Sequence, residues 1–227
     1  MKNRRKPKGR NTKNLARRYR AELPKDRILV VCEGEKTEPN YLKKVIAKLR
    51  VPTAKIRIHG EGGSAPISVV EYAEKLLLKD SDFEKVFMVF DRDRHTTYDQ
   101  AITKAKAINK KRKFSKSDIQ PITSVPCFEV WLLLHVSSTS KPYGMGNDSD
   151  SPAKRLIKDL KTHEEFSGYE KSNTDWMETI WPMTEQAILR AQRQIAQAVD
   201  GGEPTFHEDS SSRFFAIVKE LKRIAES

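Results

Sequence analysis

Short apolar runs alternate with segments of helical periodicity along the first half of the chain, and this alternation is the strongest constraint on the fold. The runs are rich in β-branched residues, as expected for strands that are buried on both faces. They lie at residues 27–32, 56–58, 85–90 and 119–125. Strands that alternate with helices are joined by right-handed crossovers into a parallel sheet. The sequence therefore predicts an α/β fold, a mainly parallel sheet flanked by helices. Pro121 interrupts the fourth run, so this strand is expected nearer an edge.

Beyond the fourth run the pattern becomes helical. A strongly apolar segment at 126–135 is expected to be a helix packed on the sheet, and residues 137–151, rich in Ser, Gly and Asp, are expected to be a loop. Further helices are predicted over residues 152–161, 183–199 and 210–225. The predicted parts of the chain are therefore a basic flexible arm at 1–24, an α/β core at 25–136 and a mainly helical extension, packed on the core, at 137–227.

Most of the net charge of +12 lies in the amino-terminal segment. Residues 1–20 contain ten Lys or Arg residues and no acidic residue, so the rest of the chain is nearly neutral. A like-charged segment with few apolar residues cannot bury enough surface to fold alone. Two interpretations stay open: a solvated, disordered end, or an arm that binds nucleic-acid phosphates through counterion release. In the second case the contacts would include Arg4, Arg5, Arg17 and Arg18.

Composition also limits the class of protein. No apolar run approaches the roughly 20 residues of a membrane-spanning helix, and no apolar stretch of signal-peptide kind follows the basic amino terminus. We therefore expect a cytoplasmic protein without a membrane segment. Cys32 and Cys127 have neither metal-ligand spacing nor a disulfide framework, and both lie in apolar stretches. Both are therefore expected to be buried, reduced thiols.

Three acidic residues follow two of the predicted strands. Glu33 comes directly after the first strand, and Asp91 and Asp93 come after the third. The carboxyl ends of parallel strands meet at one edge of the sheet, where ligands bind. Clustered carboxylates repel one another, and a hard divalent cation relieves this repulsion. The pattern therefore predicts a Mg²⁺ or Mn²⁺ site. Asp91 and Asp93 are two residues apart, so in an extended segment they would face the same side.

Each of these signals also has a simpler explanation. Acidic residues and Gly are common where strands end, and an isolated Asp-x-Asp is weak evidence for a metal. The joint placement of the two motifs favours the metal interpretation. Glu38 is a candidate ligand of a second ion, whereas Glu129 is either a site residue or a first-turn acid favoured by the helix dipole. Arg94 and His95 are either contacts to a substrate phosphate, and so candidate site residues, or ordinary polar loop residues.

Longer motifs carry a family resemblance. Residues 30–34 (VVCEG) and 89–93 (VFDRD) resemble the TOPRIM domain of topoisomerases, primases and OLD-type nucleases, whose signature is a Glu after the first strand and a D-x-D after the third. Residues 32–41 (CEGEKTEPNY) and 126–135 (PCFEVWLLLH) resemble the RloB-like family of bacterial proteins. The resemblance covers most of residues 27–225.

The resemblance implies specific roles for the acidic residues. In TOPRIM enzymes the glutamate is usually the general acid or base and the aspartates bind Mg²⁺, which assigns these roles to Glu33 and to Asp91 and Asp93. In OLD-type nucleases further acidic residues hold a second metal. Glu38 and Glu129 match that role by position.

The resemblance also implies a biological setting. We expect metal-dependent cleavage or nicking of DNA or RNA in bacterial phage defence, with an AAA-type ATPase as partner. The alternative is a catalytically silent subunit that binds nucleic acid or an effector and regulates such an ATPase. A pure binding module has no need to gather three carboxylates on one edge, which favours the enzyme. The oligomeric state stays open, a homo-oligomer included.

Overall fold

The computed structural model of the protein describes residues 26–139, 141–144 and 149–226. This part of the chain forms a mainly parallel sheet with helices on both faces, as the alternation of runs predicts. The predicted arm at residues 1–24 lies outside the described residues. The same holds for its four candidate phosphate contacts, Arg4, Arg5, Arg17 and Arg18.

The described sheet has five strands in the order β2-β1-β3-β4-β5. Four of them are parallel and coincide closely with the apolar runs: β1 Ile28–Cys32, β2 Ile56–His59, β3 Lys85–Asp91 and β4 Asp118–Val125. The fifth strand, β5, comprises only Ser211–Ser212 and pairs antiparallel with the end of β4.

Helices connect the parallel strands and form the carboxyl-terminal extension. The connecting helices are α1 Thr37–Leu49, α2 Pro66–Lys79 and α3 Tyr98–Asn109, and β4 is followed by α4 Glu129–Val136. The extension contains α5 Pro152–Leu160, α6 Met177–Ile180, α7 Thr184–Asp200 and α8 Phe215–Ala225. None of the described helices is long and apolar enough to cross a membrane.

Alternate residues of β1 face two separate hydrophobic cores. Ile28, Val30 and Cys32 belong to the core formed with α1, α4 and the extension. Leu29 and Val31 belong to the core formed with α2 and α3. A strand buried on both faces is apolar throughout, which explains why this run shows no alternation of polar residues. Both cysteines are buried free thiols, as predicted.

Two predicted helix boundaries are wrong. The helix expected from residue 126 begins at Glu129, because residues 126–128 form the turn that leaves β4. The helix expected from residue 210 begins at Phe215, because Ser211 and Ser212 extend to pair with the end of β4. A pair of serines has no apolar pattern, so the sequence did not predict β5.

The position of Pro121 agrees with its predicted place near an edge. β4 pairs with β3 along its whole length but with β5 only at Ser124 and Val125. Pro121 therefore lies in a stretch whose outer side faces no other strand among the described residues. A proline there costs no ladder hydrogen bond on that side.

Candidate active site

Glu33 lies at the carboxyl end of β1, beside the end of β3. Its backbone N–H donates to the carbonyl of Val89 at 3.0 Å, which continues the pairing of the two strands. Its carboxylate accepts a hydrogen bond from the N–H of Asp91 at 3.2 Å through Oε2, and its Oε1 lies 3.1 Å from Nε2 of His95. The structure therefore brings Glu33, Asp91 and His95 together.

Glu38 enters the same site from the first turn of α1. Its side chain is buried, and Gly34 provides the space for it, because a Cβ atom at Gly34 would lie 2.8 Å from Oε2 of Glu38. Burial, together with the charges of Glu129 and Glu33, raises the pKa of Glu38 to about 7. At neutral pH this carboxyl is therefore only partly ionised unless a cation is close to it.

Asp91 is the last residue of β3. Burial and the charges of Glu38, Glu129 and Glu33 hold the pKa of Asp91 well above its usual value. Burial also raises the pKa of Glu33, although the N–H of Asp91 and the ring of His95 act in the opposite direction. Ionising these carboxyls together costs free energy, and a nearby positive charge would lower that cost.

Asp93 lies beyond β3 and does not continue the strand. Its φ angle is 28°, and its N–H donates to the carbonyl of Pro126 at 2.9 Å. The argument that an extended segment places Asp91 and Asp93 on the same side is therefore wrong, because the strand ends at Asp91. Both residues nevertheless line the same cavity. Within the described part of the chain, Oδ1 of Asp93 is buried and has no hydrogen-bond partner.

Glu129 is the first residue of α4 and is only 1% exposed. It accepts a hydrogen bond from the hydroxyl of Tyr169 at 3.0 Å, and its Oε1 lies 3.5 Å from Nζ of Lys171. The charge of Glu129 raises the pKa of Lys171. Glu129 therefore occupies the helix-start position that its simpler explanation requires, and it also acts electrostatically on Glu38 and Asp91.

The sequence did not point to Tyr169 or Lys171 as site residues. Both lie in a polar segment of the extension that carries no motif. The backbone carbonyl of Lys171 accepts a hydrogen bond from the Thr37 hydroxyl at 3.3 Å, which ties this segment to α1. Their place at the site depends on how the extension packs over the sheet edge, and sequence spacing does not record that.

One cavity, of about 330 Å³, collects these side chains. Its wall comes from the ends of β1 and β3, the start of α1 and the extension. The charged residues in its lining are Glu33, Lys36, Glu38, Asp91, Asp93, His95 and Lys171. Glu129 is not part of this lining and lies behind it, so it is less suited to be a direct metal ligand than the other candidate acids.

The oxygen donors of this cavity suit a hard divalent cation such as Mg²⁺ or Mn²⁺. The buried Oδ1 of Asp93 without a partner and the raised pKa values of Glu38 and Asp91 are what such an ion would relieve. Across residues 26–139, 141–144 and 149–226, no three His, Cys, Asp or Glu side chains are already arranged as a metal site. Glu33, Glu38, Asp91 and Asp93 would hold the ion, and their side chains would have to close around it.

Arg94 lies outside the acidic cavity. It lines a neighbouring cavity, and its Nη2 lies 3.5 Å from the carbonyl of Asp150. His95, the next residue, is in the acidic cavity beside Glu33. The two residues that follow the aspartate pair therefore serve different parts of the surface, which the sequence alone did not separate.

The family model described as "RloB-like protein" matches residues 28–221 of the chain. The matched region includes every strand and every residue of the acidic cavity. No curated protein and no solved structure matches the chain.

Proposed function

Because the chain belongs to the RloB-like family, and because one edge of its sheet gathers carboxylates around a cavity, we propose that it is a metal-dependent phosphodiesterase. In this proposal it cleaves or nicks nucleic acid at a TOPRIM-type site that uses Mg²⁺ or Mn²⁺.

One observation carries the proposal: Glu33, Glu38 and Asp91 lie close enough to one another, and are buried deeply enough, that their pKa values are all raised. A fold stabilised for its own sake would separate these acids or pair each with a base. Their arrangement instead suits a site where a divalent cation supplies the missing positive charge.

Glu33 is the proposed general acid or base. Its raised pKa brings it nearer to neutral pH, where a group that exchanges protons works best. Its Oε1 lies 3.1 Å from Nε2 of His95, so the imidazole can hold or accept a proton at that oxygen. The Asp91 N–H fixes the other oxygen and so orients the carboxylate.

Asp91, Asp93 and Glu38 are the proposed metal ligands. When bound, a divalent cation stabilises negative charge on the phosphate and lowers the pKa of an attacking water. Lys171 lines the same cavity and is placed to contact a substrate phosphate. Glu129, through its ion pair, positions Lys171.

The wider setting is also part of the proposal. We infer a role in bacterial phage defence with an AAA-type ATPase partner, as the resemblance to the RloB-like family implies. The basic segment at residues 1–20 would then add non-specific affinity for DNA or RNA.

The experiment that tests the proposal is a cleavage assay with the purified full chain. Plasmid DNA, single-stranded DNA and tRNA are incubated with Mg²⁺, with Mn²⁺ or with EDTA, with and without the ATPase encoded beside the gene. Metal-dependent cleavage is expected, and Glu33→Gln and Asp91→Asn should abolish it. Glu71→Gln is the matched control, because Glu71 is an exposed acid on α2 that pairs with Lys104 at 2.8 Å, away from the site.

Two outcomes would overturn the proposal in different ways. If no substrate is cleaved with either metal, even with the ATPase present, the chain is not a nuclease. If cleavage survives both Glu33→Gln and Asp91→Asn, the activity exists but the acidic cavity is not its site.

The second candidate function is a catalytically silent subunit that binds nucleic acid or an effector. The ammonium group of Lys171, 3.5 Å from Glu129, favours it, because this group supplies part of the positive charge without a metal. For this function Mg²⁺ would leave the thermal unfolding temperature unchanged, whereas a metal enzyme should be stabilised by the ion it binds.

A further inference from the structure

A second cavity, of about 600 Å³, lies beside the acidic cavity. Asp93 lines both, so the two cavities meet at a residue of the candidate active site. The wall of the second cavity comes from the ends of β3 and β4, the start of α5 and the segment between α7 and β5. Its volume lies within the range of sites that hold small molecules or parts of larger ligands.

Two arginines flank Asp93 in sequence and line the second cavity. Nη1 of Arg92 donates to the carbonyl of His207 at 3.2 Å, and Nη2 of Arg94 lies 3.5 Å from the carbonyl of Asp150. A guanidinium has five N–H donors, so each of these contacts leaves donors for a ligand. The planar fork of arginine matches the oxygens of a phosphate.

Asp209 provides a fixed acceptor in the same cavity. Its Oδ2 accepts a hydrogen bond from the N–H of Gly144 at 2.7 Å, which holds the side chain in place. Its Oδ1 is buried and has no partner among the residues that the structure describes. The other acid of this wall, Glu203, is engaged by the N–H of Asp209 at 3.2 Å. The cavity therefore presents one anchored carboxylate oxygen that a ligand donor can satisfy.

The remaining wall is flat and largely apolar. Pro126, Pro142 and Pro152 line it, and the ring of His207 joins them. His207 is held by its Nε2, 2.9 Å from Oδ1 of Asp99, and by its edge contact with the ring of Tyr98. Rings held in this way form a surface on which a nucleobase can stack.

From this arrangement we propose that the second cavity holds one nucleotide of the substrate, the one beside the phosphate that is cleaved. Its base packs on the proline rings and His207, its phosphate contacts Arg92 and Arg94, and an exocyclic amino group of the base donates to Oδ1 of Asp209. The inference rests on the proposed nuclease function and adds a base preference to it.

The chemistry of Asp209 sets that preference. A carboxylate oxygen accepts a hydrogen bond from the amino group of cytosine or adenine. Uracil and hypoxanthine carry a carbonyl oxygen at the same position, which a carboxylate oxygen repels. The cavity should therefore favour CMP over UMP, and AMP over IMP. Burial raises the pKa of Asp209, so a measurement at pH 8 keeps the carboxylate ionised.

The test is a calorimetric titration of the full chain with CMP, UMP, AMP and IMP at pH 8 in EDTA. CMP and AMP are expected to bind about threefold to tenfold more tightly than UMP and IMP, which corresponds to one hydrogen bond. In Asp209→Asn the amide oxygen can keep the bond from Gly144 and turn its NH₂ group into the cavity, so the preference should reverse. Asp200→Asn, an exposed acid at the end of α7, should leave it unchanged.

Equal binding of all four nucleotides, or the same preference in Asp209→Asn, would overturn the inference. If Asp209→Asn does not fold, as judged by circular dichroism, the CMP-to-UMP and AMP-to-IMP ratios of the wild-type chain decide alone. Arg94→Met should weaken all four nucleotides without changing these ratios. Selective binding without any metal-dependent cleavage would refute the nuclease and keep the nucleotide site. Cleavage without selectivity would do the reverse.

Discussion

The two ends of the parallel strands place acidic residues in opposite electrostatic settings. At the amino ends, hydrogen bonds from Arg223 and Arg27 lower the pKa values of Asp26 and Asp80. At the carboxyl ends, burial and neighbouring acids raise the pKa values of Glu38 and Asp91. The same sheet therefore has one end where charges are paired and another where they are left in excess.

This difference separates stability from function. Paired acids at the amino ends favour the folded state, because they are more easily ionised there than in the unfolded chain. The acids at the carboxyl ends disfavour it at neutral pH for the opposite reason. A cluster that lowers stability is the kind expected at a ligand site, where the bound species restores the balance.

Asp91→Asn should give the largest effect. Cleavage should fall by roughly 100-fold or more, because loss of even an outer partner of a metal ligand costs about 10–100-fold. The free energy of unfolding without metal should stay the same or rise, because the change removes a charge that its acidic neighbours repel. Cleavage assays and urea unfolding of the same preparation measure both.

Asp80→Asn at the amino end is the control for that prediction. It should lower stability and leave cleavage unchanged, because Asp80 pairs with Arg27 at 2.9 Å far from the acidic cavity. If Asp91→Asn and Asp80→Asn lowered stability equally, the two ends would not differ as proposed.

Arg27→Met should lower the free energy of unfolding by about 3 kcal/mol, as expected when a buried ion pair loses one partner. Arg27 is 4% exposed, and its guanidinium lies 4.4 Å from the centre of the Phe83 ring. Arg57 binds the same carboxylate at 3.2 Å, but its side chain is 57% exposed. Arg57→Met should therefore cost less than about 1 kcal/mol in urea unfolding. Equal losses would show that burial is not what distinguishes the two arginines.

The two ends should also respond oppositely to pH. The stability from Asp80 is present above its unfolded pKa and is lost as the pH falls through the lower folded value. The pKa of Glu38 rises from 4.5 to about 7 on folding, so the folded state binds more protons between these values. Stability should therefore fall as the pH rises through this window.

Glu38→Gln tests this dependence. Relative to the wild type, the variant should gain about 2 kcal/mol between pH 5 and pH 8 in EDTA, because the glutamine cannot ionise. Urea unfolding at the two pH values measures the gain. A difference between variant and wild type that stays constant with pH would contradict the raised pKa.

Lys171→Met should give the smallest effect. Without Lys171 the acids lose a nearby positive charge, so the stabilisation that 10 mM Mg²⁺ provides should increase by about 1 kcal/mol. Thermal unfolding with and without Mg²⁺ measures this change. Lys36 lines the same cavity but is exposed, so Lys36→Met should change the Mg²⁺ effect much less. Equal changes would mean that the contact of Lys171 with Glu129 has no special part.

The parallel strands and the principal acids were predictable because both depend on local pattern. An apolar run such as Ile28–Cys32 marks a buried strand wherever it occurs, and parallel strands bring their carboxyl ends to one edge. Once the order of strands and helices is known, Glu33 and Asp91 must lie near each other. The structure agrees, since the N–H of Asp91 donates to the carboxylate of Glu33.

The rest of the site was not predictable because it depends on contacts between distant residues. Lys171 meets Thr37 across 134 positions of sequence, and no motif marks either residue. β5 is two serines whose extended shape comes only from their pairing with β4. The left-handed backbone of Asp93 follows from the carbonyl of Pro126 that its N–H reaches, and strand periodicity does not anticipate it.

The buried thiol of Cys127 has a consequence for chemical labelling. Cys127 lines the acidic cavity, and burial together with Glu129 and Asp91 holds its pKa well above the usual value. Alkylating reagents attack the thiolate, so this cysteine should be almost inert at neutral pH although it adjoins the site. A cation that neutralises the acids would lower that pKa. The rate of iodoacetamide labelling at Cys127 therefore offers a built-in reporter of ion occupancy.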